Sequence, residues 1–264
     1  MAVAQQLTPA VGPGLRAVVT AGASGIGRAI VDALLAHQGR VVICDIDQGM
    51  LDAFSAVHPK TRAVVADVAV EADVDRLFHA AKDELDGLDL LVNNAGVAGP
   101  TGRVDEIDPA EWRRCIDVGL TGQFLCARRG VPMLRAAGGG TIVNMSSAAG
   151  RFGYAFRTPY SAAKWGVVGL TQSLAKELGP DNIRVNAILP GIVKGPRIDR
   201  VIDARAQQLG ISHAEMEHRY LERVSLRRMV TAEDVAATVL FLASPAGGNI
   251  SGQSIGVCGN VETL

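Results

Sequence analysis

A serine, a tyrosine and a lysine between residues 147 and 164 carry side chains that together can move a proton to or from a carbonyl oxygen. Tyr160 and Lys164 are four positions apart, so on a helix they would lie on one face, one turn from each other. Ser147 follows shortly after residues 140–145, an apolar run that is typical of a strand. This combination of a hydroxyl, a phenol and an ammonium group predicts general acid–base chemistry.

The phenol needs help to act as a base at neutral pH, because free tyrosine has a pKa of about 10. An ammonium group about 4 Å away would favour the ionised phenol by roughly 1–4 kcal/mol and would lower that pKa. Taken alone, the Tyr-x-x-x-Lys spacing fits better with an ordinary amphipathic helix that has one buried tyrosine and one exposed lysine. The catalytic interpretation therefore depends on the rest of the chain.

Strand-like and helix-like segments alternate along the chain. Strands are predicted at residues 15–20, 40–44, 62–66, 89–92, 141–145, 183–189 and 254–258. Several are continuous apolar runs, which is typical of parallel strands buried on both faces. Right-handed crossovers then give an α/β fold, a single-domain doubly wound parallel sheet of the Rossmann type with about seven strands and helices on both faces. We expect a flexible N-terminal arm at residues 1–14 and one domain at residues 15–264.

Helices are predicted between these strands. Their ranges are residues 48–57, 72–85, about 109–137, and 158–178, with a first helix that ends near residue 37 and a last one that begins after Thr231. The sequences Asp108-Pro-Ala-Glu111 and Thr231-Ala-Glu-Asp234 are typical of helix starts. In a fold of this kind ligands bind at the carboxyl ends of the strands, and the candidate site residues all fall at such ends.

Composition excludes several classes of function. The formal net charge is −1, so the chain has no electrostatic field that favours nucleic acid or an anionic membrane. No apolar run reaches the length of a membrane span, and no signal peptide precedes the first strand. The four cysteines show no metal-ligand or redox spacing and three lie in apolar runs, which predicts buried free thiols and a cytoplasmic protein without a metal.

Glycines between the first strand and the first helix predict a dinucleotide site. Gly22, Gly25 and Gly27 would allow a tight turn in which backbone N–H groups approach a pyrophosphate. Asp45 ends the second strand, 18 residues after Gly27, close to the expected position of the acid that binds the ribose hydroxyls. A carboxylate there would repel a 2′-phosphate, which favours NAD over NADP. The alternative for Asp45 is a turn or cap residue, although Asp47 is the better candidate for the helix cap.

The chain resembles a short-chain dehydrogenase/reductase of the main single-domain branch over residues 15–258. The motifs that carry the resemblance are Thr20 to Gly27, Asp67-Val68, Asn93-Asn94-Ala95-Gly96, Ser147, Tyr160-Ser-Ala-Ala-Lys164, and Asn186 through Pro190-Gly191. The resemblance implies that Tyr160 is the acid/base, that Ser147 hydrogen-bonds the substrate oxygen, and that Lys164 holds the nicotinamide ribose and lowers the Tyr160 pKa. The implied NAD-binding residues are Gly22, Ser24, Gly25, Ile26, Gly27, Asp45, Asp67, Val68, Asn94, Ala95, Gly96, Tyr160, Lys164, Pro190, Gly191 and Val193.

Three positions depart from the family pattern. The first glycine of the cofactor turn is replaced by Ala21, and we expect Gly22 beside it to absorb the backbone strain. Gly119 stands where the family has an asparagine that completes a catalytic tetrad and whose backbone oxygen holds a water leading to the lysine. The threonine that usually follows Pro-Gly and binds the carboxamide is replaced by Gly195.

A long polar segment at about residues 194–229 is expected to fold as two short helices, near 198–209 and 213–223, and by resemblance to cover the substrate as a lid. It contains many arginines, namely Arg197, Arg200, Arg205, Arg219, Arg223, Arg227 and Arg228. A solvated helix face explains most of them, and Arg197, which is nearest the motif, is the first candidate to receive an anionic substrate. Phe152, Tyr154 and Phe156 are expected either to wall the pocket or to pack in the core.

These observations predict an oxidoreductase that transfers hydride between NAD(H) and a secondary alcohol or ketone. One alternative is a 3-oxoacyl-[acyl-carrier-protein] reductase, which would usually prefer NADPH. Another is a catalytically impaired NAD-binding protein of the same fold, which the glycines at 119 and 195 motivate. The substrate is a small molecule that the sequence does not identify; polyols, sugars, hydroxy acids and cyclic alcohols remain open. The resemblance also implies a homotetramer in which helices 109–137 and 158–178 pair across subunits.

Overall fold

A seven-stranded parallel sheet forms the centre of the molecule, in the order β3-β2-β1-β4-β5-β6-β7. The computed structural model describes residues 11–261, apart from the side chains at positions 204 and 208. The strands are β1 (Arg16–Thr20), β2 (Arg40–Asp45), β3 (Arg62–Val65), β4 (Leu90–Asn93), β5 (Gly140–Met145), β6 (Ile183–Pro190) and β7 (Ser254–Val257). The predicted doubly wound parallel sheet is confirmed.

Helices cover both faces of this sheet. They are α1 (Gly25–Ala36), α2 (Gln48–Val57), α3 (Glu71–Leu85), α4 (Pro109–Ile116), α5 (Gly122–Ala136), α6 (Thr158–Leu178), α7 (Pro196–Leu209), α8 (His213–Leu221) and α9 (Ala232–Ala243). Within residues 11–261, no helix is long and apolar enough to span a membrane.

Neighbouring residues of each central strand point to opposite faces, and both faces are buried. Val18 belongs to a core cluster with residues of α3 and α5, whereas Val19 belongs to a second cluster with residues of α1, α2 and α9. Val19 pairs with Ile43 of β2 on one side and with Val92 of β4 on the other. Two buried faces explain why these strands are continuously apolar in sequence.

The long helix predicted at 109–137 is interrupted. It is divided into α4 and α5 by a π-helical segment, Asp117–Thr121, with Gly119 at its centre. A Cβ at position 119 would lie only 3.1 Å from the Cβ of Ala163 in α6. The glycine therefore lets this segment approach the helix that carries Tyr160 and Lys164.

The segment between β6 and α9 forms two short helices, α7 and α8, as predicted. They share a small cluster of their own, in which Ile202, Ala206 and Met216 are buried. The ring of His213 at the start of α8 contacts Asp203 of α7, with 2.6 Å between Nδ1 and Oδ1. A parallel bridge between Val193 and Val230 closes the base of this two-helix segment.

Residues 1–10 of the predicted N-terminal arm lie outside the described part of the chain. Of the rest of that arm, Val11 is buried and the backbone N–H of Gly14 donates to the carbonyl of Gln38 at 2.9 Å. These contacts attach residues 11–14 to the loop between α1 and β2.

Candidate active site

Tyr160 and Lys164 lie in the first two turns of α6, where their four-residue spacing puts them on one face. The ammonium nitrogen of Lys164 is 5.7 Å from the centroid of the Tyr160 ring. The lysine is only 4% exposed, and its Nζ donates to the carbonyl of Met145, at the end of β5, at 2.8 Å. Ser146 donates in turn to the backbone carbonyl of Lys164 at 2.8 Å. These contacts fix the start of α6 against the carboxyl end of β5.

Ser147 follows directly in the same loop. Its Oγ accepts a hydrogen bond from the backbone N–H of Ala149 at 3.2 Å, at the start of the short 3-10 turn Ala148–Gly150. Its hydroxyl also lies near enough to Tyr160 to favour the ionised phenol and lower the pKa of that group. The structure therefore brings together the hydroxyl, the phenol and the ammonium group that the sequence singled out.

The electrostatic surroundings of Tyr160 favour its ionised form. Burial of the phenol opposes its ionisation. The positive charge of Lys164 favours ionisation, and Arg197, the Ser147 hydroxyl and Arg157 make smaller favourable contributions. Together they outweigh the effect of burial, so the pKa of Tyr160 falls below its usual value of 10. Burial also lowers the pKa of Lys164, which the charge of Tyr160 partly offsets. Such perturbed pairs are typical of sites that transfer protons.

Arg157 is a second buried cation at this site, and the sequence analysis did not single it out. It is 8% exposed, its Cζ lies 5.1 Å from the Tyr160 ring centroid and 5.4 Å from that of Tyr154, and Nη2 donates to the carbonyl of Ala98 at 2.6 Å. Its Nε is buried without a hydrogen-bond partner in the described part of the chain. The available signal was a basic residue three positions before the tyrosine.

Arg197 lies in the first turn of α7 and is exposed. Its charge acts on Tyr160, on Lys164 and on the buried thiol of Cys115. Among the residues that the structure describes, neither Arg197 nor Arg157 forms an ion pair. The charges that lower the pKa of Tyr160 are thus two unpaired guanidinium groups in addition to the lysine.

The glycine turn between β1 and α1 lies at the same edge of the sheet. It is held by the side chain of Thr20, at the end of β1, and by that of Asn94, directly after β4. The hydroxyl of Thr20 accepts from the backbone N–H groups of Asn94 and Ala95 at 2.9 Å each. The carboxamide of Asn94 donates to the carbonyls of Thr20 and Ala21 at 3.0 and 3.1 Å. Gly25 has φ +53°, and a Cβ there would meet nothing within 4 Å. This open turn at the start of a helix fits a dinucleotide pyrophosphate.

The expectation that Gly22 absorbs the strain of this turn is wrong. Ala21 itself adopts the left-handed conformation, with φ 49°, and Gly22 does not have positive φ. Gly22 instead packs against β2, because a Cβ there would lie 2.7 Å from the Cγ2 atom of Ile43.

The remaining predicted cofactor residues surround this edge. Asp45 ends β2, and Asp47 is the cap of α2, since its Oδ1 accepts from Met50 N at 3.1 Å. Asp67 forms an ion pair with Arg114 at 2.7 Å, and Val68 beside it is buried. Three others lie at the start of α1, namely its cap residue Ser24 and, in its first turn, Ile26 and Gly27. Gly96 lies next to Lys164. The last three are at or after the end of β6, namely Pro190, Gly191 and Val193.

Comparisons with known proteins agree with this architecture. The family model described as "Enoyl-(Acyl carrier protein) reductase" matches residues 20–260. The chain is 38% identical over 252 residues to cis-4-hydroxycyclohexanecarboxylate dehydrogenase of Sinomonas cyclohexanicum, covering 94% of this chain and 96% of the relative. It is 34% identical over 228 residues to 2-dehydro-3-deoxy-L-rhamnonate dehydrogenase (NAD(+)) of Sphingomonas sp. (strain SKA58), covering 86% and 87%.

The fold is shared with solved structures as well. A variant of actinorhodin polyketide ketoreductase with NADPH superposes with a TM-score of 0.90 at 30% identity, covering 95% of this chain and 98% of that one. The extent of these matches, together with the serine, tyrosine and lysine that the fold assembles, leads to one conclusion: the chain belongs to the short-chain dehydrogenase/reductase family.

Proposed function

We propose that this protein is an NAD-dependent dehydrogenase that interconverts a secondary alcohol and a ketone, with Tyr160 as general acid/base. The observation that carries the proposal is the cluster of Ser147, Tyr160 and Lys164 beside the open glycine turn. The names of both curated relatives described above are those of dehydrogenases. The nicotinamide of NAD, when bound, supplies the hydride acceptor.

The roles of the side chains follow from their contacts. In the oxidation direction, the Ser147 hydroxyl hydrogen-bonds the alcohol oxygen and the Tyr160 phenolate accepts the proton of the alcohol O–H group. The charge of Lys164 favours the ionised phenol and lowers its pKa. In reduction the proton moves from the Tyr160 hydroxyl to the carbonyl oxygen of the ketone.

Asp45 supports the choice of NAD. Its carboxylate stands at the carboxyl end of β2 and is partly exposed. The backbone N–H of Asp47 donates to it at 3.3 Å, and no ion pair with a described residue neutralises it. A negative charge at this position would accept the ribose hydroxyls of NAD and repel the 2′-phosphate of NADP.

The charge of the site supports a substrate with a carboxylate or a similar anionic group. Arg157 and Arg197 both act on Tyr160, and neither is paired with an acid among the described residues. An anionic group would supply the missing partner through charge-assisted hydrogen bonds. The cyclohexanecarboxylate and the rhamnonate in the names of the two relatives are acids of this kind. We therefore propose a hydroxy acid as the substrate class, with residues 194–229 as its lid.

Initial rates with matched substrates test this proposal. Formation of NADH or NADPH is measured with 4-hydroxycyclohexanecarboxylate and with its neutral carboxamide, each with NAD and with NADP. We expect a preference for NAD and a kcat/KM roughly tenfold or more higher for the carboxylate. Arg197→Gln should remove most of that preference, whereas Arg200→Gln, one turn further along α7, should keep it. Equal rates for the two compounds would rule out the anionic substrate class.

Replacement of Tyr160 by phenylalanine tests the acid/base role. The variant keeps the ring but not the proton, so we expect kcat to fall by about 10²–10⁴-fold while NAD binding, measured by calorimetry, stays nearly intact. An active Tyr160→Phe variant would refute the assignment.

A non-catalytic NAD-binding protein is the second candidate function. It is favoured by Gly119 in place of the family asparagine and by Gly195, whose φ of +148° is a conformation that threonine rarely adopts. Tight NAD binding without NADH formation over a broad alcohol panel would support it. The 3-oxoacyl-carrier-protein alternative is not favoured, since both curated relatives described above have names of free acids.

We also propose a homotetramer built on α4, α5 and α6. Large apolar side chains on these helices are exposed in the single chain, namely Trp112, Phe124 and Trp165. Pairing of the helices between subunits would bury them. Sedimentation equilibrium of the purified protein measures the mass of the assembly, and a monomer at micromolar concentration would contradict this proposal.

A further inference from the structure

The family asparagine that normally supports the catalytic lysine is absent from this chain, and the structure shows a different amide in its neighbourhood. Gly119 lies in the π-helical segment Asp117–Thr121, one turn before Gln123. The side chain of Gln123 is directed back along the helix toward Gly119. Its Nε2 donates to the Gly119 carbonyl at 3.3 Å and to the Met145 carbonyl at 3.1 Å.

The Met145 carbonyl has a second donor, the ammonium nitrogen of Lys164 at 2.8 Å. The amide of Gln123 and the ammonium of Lys164 therefore share one acceptor at the end of β5. Through it, the π-helical segment, the strand and α6 are connected by a continuous series of hydrogen bonds. Gly119 contributes only a carbonyl to this series.

Packing alone does not explain a glutamine at position 123. The residue is 2% exposed, and a buried amide is costly unless it is hydrogen-bonded. Its Oε1 has no partner in the described part of the chain, and neither does the buried Oδ1 of Asn93. A leucine or methionine would avoid an unpaired acceptor, which costs about 1–3 kcal/mol. The amide keeps its N–H₂ group on the two carbonyls despite this cost.

We propose that Gln123 replaces the absent asparagine as the positioning residue for Lys164. It holds the Met145 carbonyl between two donors, so that the ammonium stays fixed below the Tyr160 ring. In this role Gln123 acts through Lys164, with which it shares the Met145 carbonyl. The inference rests on the proposed function, because its consequence is the acid/base chemistry of Tyr160.

The electrostatic consequence follows from the groups that face Tyr160. These are Lys164 and Arg157 on or next to α6, Arg197 of α7, and the Ser147 hydroxyl. If Lys164 loses its fixed position, its electrostatic interaction with the Tyr160 phenolate becomes weaker on average, and the pKa of Tyr160 rises. Removal of the phenol from water then favours its neutral form.

Direct titration of Tyr160 tests the inference without a substrate. The chain has three tyrosines, and the ultraviolet difference absorbance of tyrosinate, after subtraction of the Tyr160→Phe variant, isolates this one. In Gln123→Met, which has nearly the same volume but no hydrogen bonds, we expect the Tyr160 pKa to rise and kcat to fall roughly tenfold. The midpoint of kcat/KM for alcohol oxidation should move to higher pH with it.

Two further variants separate positioning from general destabilisation. Thr171→Val removes a buried hydrogen bond, 3.0 Å long, that the amide of Asn144, the residue before Met145, donates to the same helix as Lys164. It removes neither donor from the Met145 carbonyl, so it should leave the Tyr160 titration unchanged. Gly119→Asn added to Gln123→Met restores the family residue and should return the titration toward that of the wild type. A Cβ at position 119 would lie 3.1 Å from the Cβ of Ala163, so Ala163 must move by a few tenths of an ångström to admit it.

The outcomes distinguish this inference from the proposed function. An unchanged Tyr160 titration in a folded Gln123→Met protein would overturn the positioning role, as would an equal shift in Thr171→Val. If Gln123→Met does not fold, Gln123→Asn, which is too short to reach both carbonyls, is measured in the same way with the same two criteria. A shifted titration in a protein that oxidises no alcohol would refute the proposed function and leave the positioning role intact.

Discussion

At the scale of single residues, the proposed chemistry of this protein depends on the ionisation of one phenol, that of Tyr160. Removal of the Tyr160 phenol from water favours its neutral form, whereas the cations around it favour the ionised form and lower its pKa. Lys164 makes the largest favourable contribution, and it acts from a buried position fixed by the Met145 carbonyl. The location of this ammonium group therefore determines much of the lowering of the Tyr160 pKa.

The pH dependence of catalysis should follow from this charge. In the oxidation direction Tyr160 must be ionised, so kcat/KM should rise with pH through a Tyr160 pKa that lies below its usual value of 10. Lys164→Met removes the cation, so the rise should move to higher pH, and the fall of the reduction rate should move in the same direction. Rates of both reactions over a range of pH provide the measurement.

An exposed lysine of the same helix provides the control for that experiment. Lys176→Met changes the net charge by the same amount, far from Tyr160, and should leave both pH profiles in place. If Lys164→Met had the wild-type profile, the charge of Lys164 would have no part in ionising Tyr160.

At the scale of elements, the turn between β1 and α1 has an unusual feature at its first position. Ala21 holds a left-handed backbone with φ 49°, because the carboxamide of Asn94 fixes the carbonyls of Thr20 and Ala21. The turn keeps its shape with alanine in place of glycine, at the cost of local strain.

Relief of this strain should stabilise the protein. For Ala21→Gly we expect the free energy of unfolding to rise by up to about 1 kcal/mol, since glycine adopts positive φ without the steric cost of a Cβ. Ala33→Gly, in the middle of α1, should have the opposite effect and lower it by about 1 kcal/mol. Urea unfolding of both variants measures the difference, and two changes of the same sign would contradict the explanation.

The contact between α7 and α8 depends on pH. The hydrogen bond that His213 donates to the Asp203 carboxylate, with a smaller effect of the carboxylate charge, raises the pKa of His213 above its ordinary value of 6.5. A raised pKa means that the stabilisation is fully present below about pH 6.5 and is lost as pH rises through the value in the folded protein. Asp203→Asn should return the His213 pKa toward 6.5, which an NMR titration of the imidazole protons would show. An unchanged titration would mean that Asp203 does not hold the ring in solution.

At the scale of the whole molecule, the sheet brings the two halves of the site together. The chain reverses its direction of winding between β1 and β4, and the glycine turn follows β1 while the serine and the Tyr160 helix follow β5. The cofactor end and the proton-transfer end therefore meet at one edge, although about 120 residues separate them in sequence.

Burial of the thiols is a second property of the whole fold. Cys44, Cys115 and Cys126 are buried and Cys258 is partly exposed. Burial raises the pKa of Cys44 to about 12 and also raises those of Cys115 and Cys126. We expect a thiol reagent at mildly alkaline pH to modify Cys258 rapidly and the other three only after unfolding. The Cys258→Ser variant should lack the rapid phase. A rapid phase in that variant would contradict the burial of the other three thiols.

The sequence by itself determined the order of strands and helices, the cap at Asp47, and the spacing that puts Tyr160 and Lys164 on one face of a helix. These are local properties, since apolar runs, helix starts and a four-residue spacing act over a few positions. Only the tertiary structure decided that Ala21 takes the positive φ, that the helix after Asp108 contains a π-helical segment, and that Arg157 and Gln123 belong to the site. Each of these features involves a contact with a residue distant in sequence. Ala21 contacts Asn94 and the π-helical segment contacts Ala163. Arg157 contacts Ala98 and Gln123 contacts Met145, and no local sequence pattern records such a contact.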